Sequence, residues 1–479
     1  MPTSTAREMV AATPTPEPVT GTDDWSMFAH DMTRRGLQTQ WTGISQSTVA
    51  GLQLRWSYTT PSGGGYQAGP IAVDGTIYAA DNHGVVVALD AVKGTVKWTY
   101  SLGSGAAATP FLDGNLLFVG TDWQYGKIVA LDAANGAVVW SQELNGGLRG
   151  GPLALNGTLY VPVSIGDPPY CMAGGVYAFD EQTGAPGGAS WLTVASPPNG
   201  GGGGGVWSPL SYDGTRIVFG SGNTCTVSPT TSNAIVAMSP AFVTQWDIPT
   251  ADPLSDDDVG AGTLIDTNDV GYTVGKNGTA YAVNVATGTL AWTHVLPASD
   301  GFGGIDTPGE TDGTLFVATG ALTDPTASST PGGELFGLSP QTGATKWSII
   351  TQTEIKSSVV SLSDLAFAEL DNTINALDPT NGKVLWSYQS AGDFDASSPA
   401  IVPSGLYAAD MSGTIYAFGL PSNSATATRR RTIAERVWSS PNAIVPPKFR
   451  TKGPPAYCTD ETRSTLKRSD AHALAVRSQ

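Results

Sequence analysis

A unit of about 47 residues recurs along this chain, and nothing else in it restricts the fold as strongly. Ala88-Leu89-Asp90 is followed by Gly94-Thr95-Val96-Lys97-Trp98, and Ala130-Leu131-Asp132 by Asn135-Gly136 and Trp140. Ala376-Leu377-Asp378 is followed by Asn381-Gly382 and Trp386. Looser copies carry Asp180 with Trp191, Ser239 with Trp246, Asn284 with Trp292 and Ser339 with Trp347. Each unit holds four short β-type runs, which in the first unit are residues 69–73, 76–80, 85–89 and 96–100. Apolar residues alternate within the runs, and Gly, Asn and Asp punctuate them. The Asp-x-x-x-Gly element is a tight-turn signal, because Asp bonds its own backbone and Gly supplies a positive φ. Four strands per 40–50 residues are the mark of a propeller blade.

The two ends complete each other. The C-terminal unit supplies strands only near 399–402, 405–409 and 414–418, and Trp56 sits on an orphan N-terminal strand, 53–58. Pairing them predicts an all-β, eight-bladed β-propeller of four-stranded antiparallel blades, its ring closed by the N-terminal strand. Closure removes two open sheet edges. An open solenoid is the alternative, and it leaves the Trp56 strand without a role. The expected domains are a Thr/Pro-rich linker over 1–23, the propeller over 24–420 and a tail over 421–479. The tail carries 11 Lys and Arg against 4 Asp and Glu, with no strand or helix period. It reads as a basic disordered tail, or as an out-of-frame or added extension.

Composition narrows the function. Hydrophobic residues make up 40% and charged residues 14%, so the chain can bury a large core. The net charge is -17 despite the basic tail, so the body is strongly acidic and no nucleic-acid partner is expected. No run reaches 18 apolar residues, so no transmembrane segment is expected. Three cysteines are too few for a disulfide scaffold or a zinc cluster. Cys171 and Cys225 fall on B–C loops of neighbouring blades, and a disulfide between them is expected.

In a propeller blade the strands run A to D outward from the axis, and the B–C and D–A loops share one face. The long insertions here lie on that face, over blades three to six, where functional loops gather. Four positions there carry chemistry: Trp207 in a D–A loop, Asn223 after Gly220-Ser221-Gly222, Asp258 ending Asp256-Asp257-Asp258, and Lys276 in Gly275-Lys276-Asn277-Gly278. Together they offer an aromatic plate, an amide oxygen, carboxylates and a cation, and oxygen ligands of this kind suit Ca²⁺. Each also has an ordinary reading. Trp207 could pack between blades, the aspartates could be a solvated loop, and Asn223 and Lys276 could be turn residues.

The repeat resembles that of the quinoprotein dehydrogenases, which use pyrroloquinoline quinone (PQQ) on an eight-bladed propeller. The likeness covers about 24–420, including the opening Asp24-Trp25-Ser26-Met27-Phe28. Val206-Trp207-Ser208-Pro209, Gly220-Ser221-Gly222-Asn223, Asp258-Val259-Gly260-Ala261 and Gly303-Gly304-Ile305 are most similar to polyvinyl-alcohol dehydrogenases. The resemblance implies that Trp207 stacks under PQQ, that Asn223 ligates Ca²⁺, and that Asp258 is general base for hydride transfer from an alcohol. It implies a cation contact to the quinone oxygens from Lys276. The family's glutamate ligand should fall near Pro169-Tyr170, where Asp167 is the nearest carboxylate, so the implied metal set is Asn223, Asp258 and Asp167. After Ile305 the chain reads Asp306-Thr307-Pro308 where those relatives carry Trp-Gly, and the adjacent-cysteine pair of many alcohol dehydrogenases is absent. No Cys-x-x-Cys-His haem motif occurs, so a separate acceptor such as a c-type cytochrome is implied. The substrate would be an alcohol, a polymeric one included, and the location periplasmic or secreted. The same repeat also builds an outer-membrane assembly lipoprotein, so a protein-binding scaffold without cofactor is the other reading.

Overall fold

The computed structural model describes residues 24–421, except 123–124, 165–170, 172, 195–201, 226–228, 298–305, 312 and 323–331. Asp167, the Gly303-Gly304-Ile305 segment, the 1–23 linker and the tail from 422 lie outside the described residues. The strands form eight four-stranded antiparallel sheets. Blades one to seven span 71–101, 111–143, 153–192, 211–249, 264–295, 309–350 and 360–389. Blade eight joins Ala400–Val402, Gly405–Ala409 and Thr414–Gly419 to the outer strand Gln53–Thr59. Trp56 pairs with Ala417 there, so the ring closes by the expected strand.

The repeat's conserved spacing has a direct packing cause. Each blade's outer-strand Trp donates its indole N–H to the next blade: Trp98 to the Ala133 carbonyl at 2.9 Å, Trp246 to Val285 at 2.8 Å and Trp347 to Pro379 at 3.0 Å. The indole ring lies flat on the glycine of the neighbour's turn. At Gly136, φ is +74° and a Cβ would come within 2.6 Å of the Trp98 ring, so no other residue fits without a shift. The irregular copy at Trp191 obeys the same geometry by other means. Its neighbour's turn has Phe242 at φ +63° in the glycine position, and Trp191 bonds the Thr244 hydroxyl at 2.8 Å. At the closure Trp386 donates to Leu52 at 3.1 Å, so the residue before the N-terminal strand stands in for a turn.

Residues 24–38 do something the repeat did not foretell: they cross the lower mouth of the ring and touch the innermost strand, or the residue just before it, in all eight blades. Trp25 exchanges two backbone bonds with Ala72, at 2.8 and 2.9 Å. Leu112 donates to Ser26, Tyr212 to Met32, Ile265 to Thr33 and Ser361 to Gly36, at 2.7–2.9 Å. Arg35 pairs with Glu310 at 3.5 Å, and the Gln38 amide reaches the Ile401 carbonyl at 3.0 Å. At the centre lies Arg34, fully buried, donating to the carbonyls of Phe28 (2.8 Å), Leu210 (2.9 Å) and Pro152 (3.3 Å). Ala29, His30 and Arg34 take positive φ here, a conformation kept only where surrounding contacts enforce it.

Candidate active site

Above this plug the blades leave an axial funnel, with Phe28 of the plug among its lining residues. Its wall comes from the points where each D–A loop enters an inner strand: Gln67, Thr109, Arg149, Trp207, Gly260, Thr307, Lys356 and Asp395, one from each blade in turn. A small residue before proline opens the inner strand in most repeats, as in Thr109-Pro110, Gly151-Pro152, Ser208-Pro209, Thr307-Pro308 and Ser398-Pro399. These small residues let neighbouring inner strands approach closely. Asp306-Thr307-Pro308 is therefore a regular member of this series. That recurring dipeptide was the available signal for the funnel wall, and the sequence reading did not use it.

Blades four and five bring four of the expected residues together. Gly222 donates to the Gly205 carbonyl at 2.8 Å and Gly204 to that of Asn223 at 2.7 Å, which fastens the D–A loop carrying Trp207 to the end of strand B. Asn223 then gives its backbone N–H to Asp258 Oδ1 at 2.7 Å. Lys276, in the turn of blade five, gives its backbone N–H to the Asp258 carbonyl at 2.9 Å and its ammonium to Asp258 Oδ2 at 3.0 Å. The same ammonium reaches Asp256 Oδ1 at 3.0 Å and lies 4.5 Å from the centre of the Trp207 ring. Asp258 and Lys276 are buried, Trp207 and Asn223 half-buried. Sequence reasoning placed these four on one face; the structure joins them by hydrogen bonds and a cation–π contact. It uses the Asn223 main chain to hold the carboxylate.

Burial pushes the Asp258 carboxyl above the usual range, against the pull of Lys276 and the Asn223 N–H, and Asp256 pushes it further up. Burial alone would depress the Lys276 ammonium, but Asp258 and Asp256 outweigh it and hold it protonated. The funnel adds two cations to an acidic body. Arg149 is half-exposed beside Asp122 at 3.0 Å, and Lys356 lies beside Glu354 at 3.0 Å. The Thr109 hydroxyl lines the funnel and is buried without a partner. The disulfide is formed as expected: Cys171 and Cys225 are joined with Cα atoms 6.0 Å apart, two residues beyond Asn223.

Two further carboxyls are raised toward neutral pH by burial. Burial raises Asp306 to about 7 and Glu369 to about 8, and one oxygen of each is without a partner. Their unfolded values are near 3.8 and 4.5, so folding favours the protonated forms. This stability is complete below pH 4 and is lost as pH rises through 7 to 8. Denaturant unfolding should show stability falling between about pH 4 and 8. Asp306→Asn and Glu369→Gln should each flatten that slope, removing a dependence on the order of 4 kcal/mol. An unchanged slope in both variants contradicts this assignment.

Comparison with known proteins places the chain. A model described as outer membrane protein assembly factor BamB matches residues 101–241 and 258–441. A second, described as the β-propeller domain of glucose, ethanol and alcohol dehydrogenases, matches 25–106. The chain belongs to the PQQ-repeat β-propeller family. Its fold is similar to that of quinohemoprotein alcohol dehydrogenase from Comamonas testosteroni, with TM-score 0.73 and 18% identity over 85% of this chain and 82% of that one. A europium-containing methanol dehydrogenase gives 0.72 and 18% over 83% and 98%. BamB from Moraxella catarrhalis gives 0.58 and 15% over 78% and 98%. No curated protein sequence matches significantly.

PQQ is a flat tricarboxylate, and the funnel offers groups that suit such a molecule: an aromatic face at Trp207, with the Lys276 ammonium beside that ring, cations at Arg149 and Lys356, and a buried, unsatisfied hydroxyl at Thr109. Ca²⁺ takes six to eight oxygen ligands. Of the expected donors, Asp167 lies outside the described residues, which leaves Asn223 and Asp258. Both Asp258 oxygens are engaged, by Asn223 and Lys276, and among the described residues no three His, Cys, Asp or Glu side chains converge.

Proposed function

We propose that this protein is a PQQ-dependent dehydrogenase that oxidises an alcohol. The observation that carries the reading is the buried Asp258–Lys276 pair set against Trp207 at the wall of the axial funnel. When bound, PQQ supplies the acceptor for the hydride that leaves the alcohol carbon. Trp207 offers its ring as a stacking surface. Arg149 and Lys356 attract carboxylates into the funnel, and Thr109 offers a hydroxyl donor. Asp258 takes the proton of the alcohol hydroxyl on its carboxylate, and its raised pKa suits that task. Lys276 keeps Asp258 oriented and presents positive charge where negative charge develops. Electrons then pass to a separate carrier such as a c-type cytochrome. The Cys171–Cys225 disulfide supports a periplasmic or secreted location, and no helix among the described residues is long and apolar enough to cross a membrane.

A second reading is favoured by the breadth of the BamB-type match: a propeller that binds other proteins and no cofactor. A titration separates the two. PQQ added to the purified chain should quench tryptophan fluorescence, and an alcohol should then reduce an artificial acceptor dye. Trp207→Ala should weaken the binding by about fivefold or more, since an aromatic stack contributes on the order of 1 kcal/mol beyond buried area. Absence of both quenching and dye reduction, with and without millimolar Ca²⁺, leaves the scaffold reading.

A further inference from the structure

We infer that Lys276 performs in this site the electrostatic work of a divalent cation, so that PQQ binding needs no added metal. The inference rests on the PQQ reading above. A metal that bridges two carboxylates sits between one oxygen of each. Here that position is taken by the Lys276 ammonium, 3.0 Å from Asp258 Oδ2 and 3.0 Å from Asp256 Oδ1. The other Asp258 oxygen accepts the Asn223 N–H at 2.7 Å, so this carboxylate has both oxygens engaged by donors from the protein.

Lys276 is not a surface residue that happens to swing inward. Its side chain is only 5% exposed. Its own backbone N–H is tied to the Asp258 carbonyl at 2.9 Å, and its ammonium lies over the Trp207 ring at 4.5 Å. Gly275 and Gly278, on either side, close the turn through a bond of 2.9 Å. The positive charge is therefore fixed in place before any ligand arrives. A protonated amine has no lone pair to give a metal. A divalent ion bound at Asp258 would lie beside a buried cation and be repelled by it. A fixed ammonium, by contrast, can donate to a carbonyl oxygen and stabilise negative charge on it with no exchangeable ion.

The test uses the full chain freed of metal by a chelator. PQQ is titrated in chelator and in millimolar Ca²⁺, with tryptophan fluorescence as the readout. The inference expects the two dissociation constants to agree within about twofold. Lys276→Met should weaken binding in chelator by about tenfold or more, the equivalent of one charge-assisted hydrogen bond. Added Ca²⁺ should restore part of that loss, because Asp256 and Asp258 are then released for a metal. Lys276→Arg should keep the metal independence, and it guards against misfolding of the Met variant. Quenching by the unaltered chain only when Ca²⁺ is present overturns the inference and leaves the PQQ reading standing. A Met variant that folds and binds as tightly as the parent in chelator also overturns it. No quenching under either condition removes the PQQ reading, and this inference falls with it.

Discussion

Asp258→Asn is expected to leave the propeller folded and able to bind PQQ, and to lower turnover of the alcohol by roughly 10²–10⁴-fold, the usual contribution of a general base. The amide keeps an oxygen to accept the Asn223 N–H, and Lys276 keeps Asp256 at 3.0 Å, so neither buried partner is stranded. What the variant loses is the capacity to hold a proton. Single-turnover dye reduction in PQQ-loaded protein, beside fluorescence titration of the cofactor, separates the two effects. Turnover within a few-fold of the parent at equal cofactor occupancy rejects Asp258 as the base. A collapse of cofactor affinity with unchanged turnover at saturation assigns Asp258 to binding instead.

Arg34→Met is expected to be the most destabilising single change in the ring. The guanidinium is buried at the centre of the plug and donates to three carbonyls, from the plug itself and from just before the inner strands of blades three and four. Met fills much of the volume, but it leaves those acceptors in the interior without donors, at about 1–3 kcal/mol for each unsatisfied group. A loss on the order of 3–5 kcal/mol should be read from the denaturant midpoint. Burial lowers the guanidinium to about 10, and Asp31 opposes that shift. The funnel floor should loosen with it, because Phe28 precedes Arg34 by six residues and gives it a carbonyl. A variant as stable as the parent shows that the plug does not brace the ring.

The blades were legible in the sequence because each is made by short-range physics. Alternating apolar residues make strands, Asp-x-x-x-Gly makes the turn, and each Trp needs only the next turn's glycine, as at Trp98 and Gly136. Even the closure was legible, since the Trp56 strand lacked a turn before it and Phe418 lacked a Trp after it. The four candidate residues were legible as a set on one face, since strand order alone assigns each loop to a face. The sequence did not show that Lys276 sits between two carboxylates, or that Asn223 holds Asp258 by its main chain. Nor did it show that Arg149 and Lys356, from blades three and seven, line one funnel, or that residues 24–38 cross its base. These contacts join residues far apart in the chain, and no local period encodes them. They exist only because eight similar sheets, each shaped by its own turns and tryptophans, curve into one ring and bring the starts of their inner strands to a common axis.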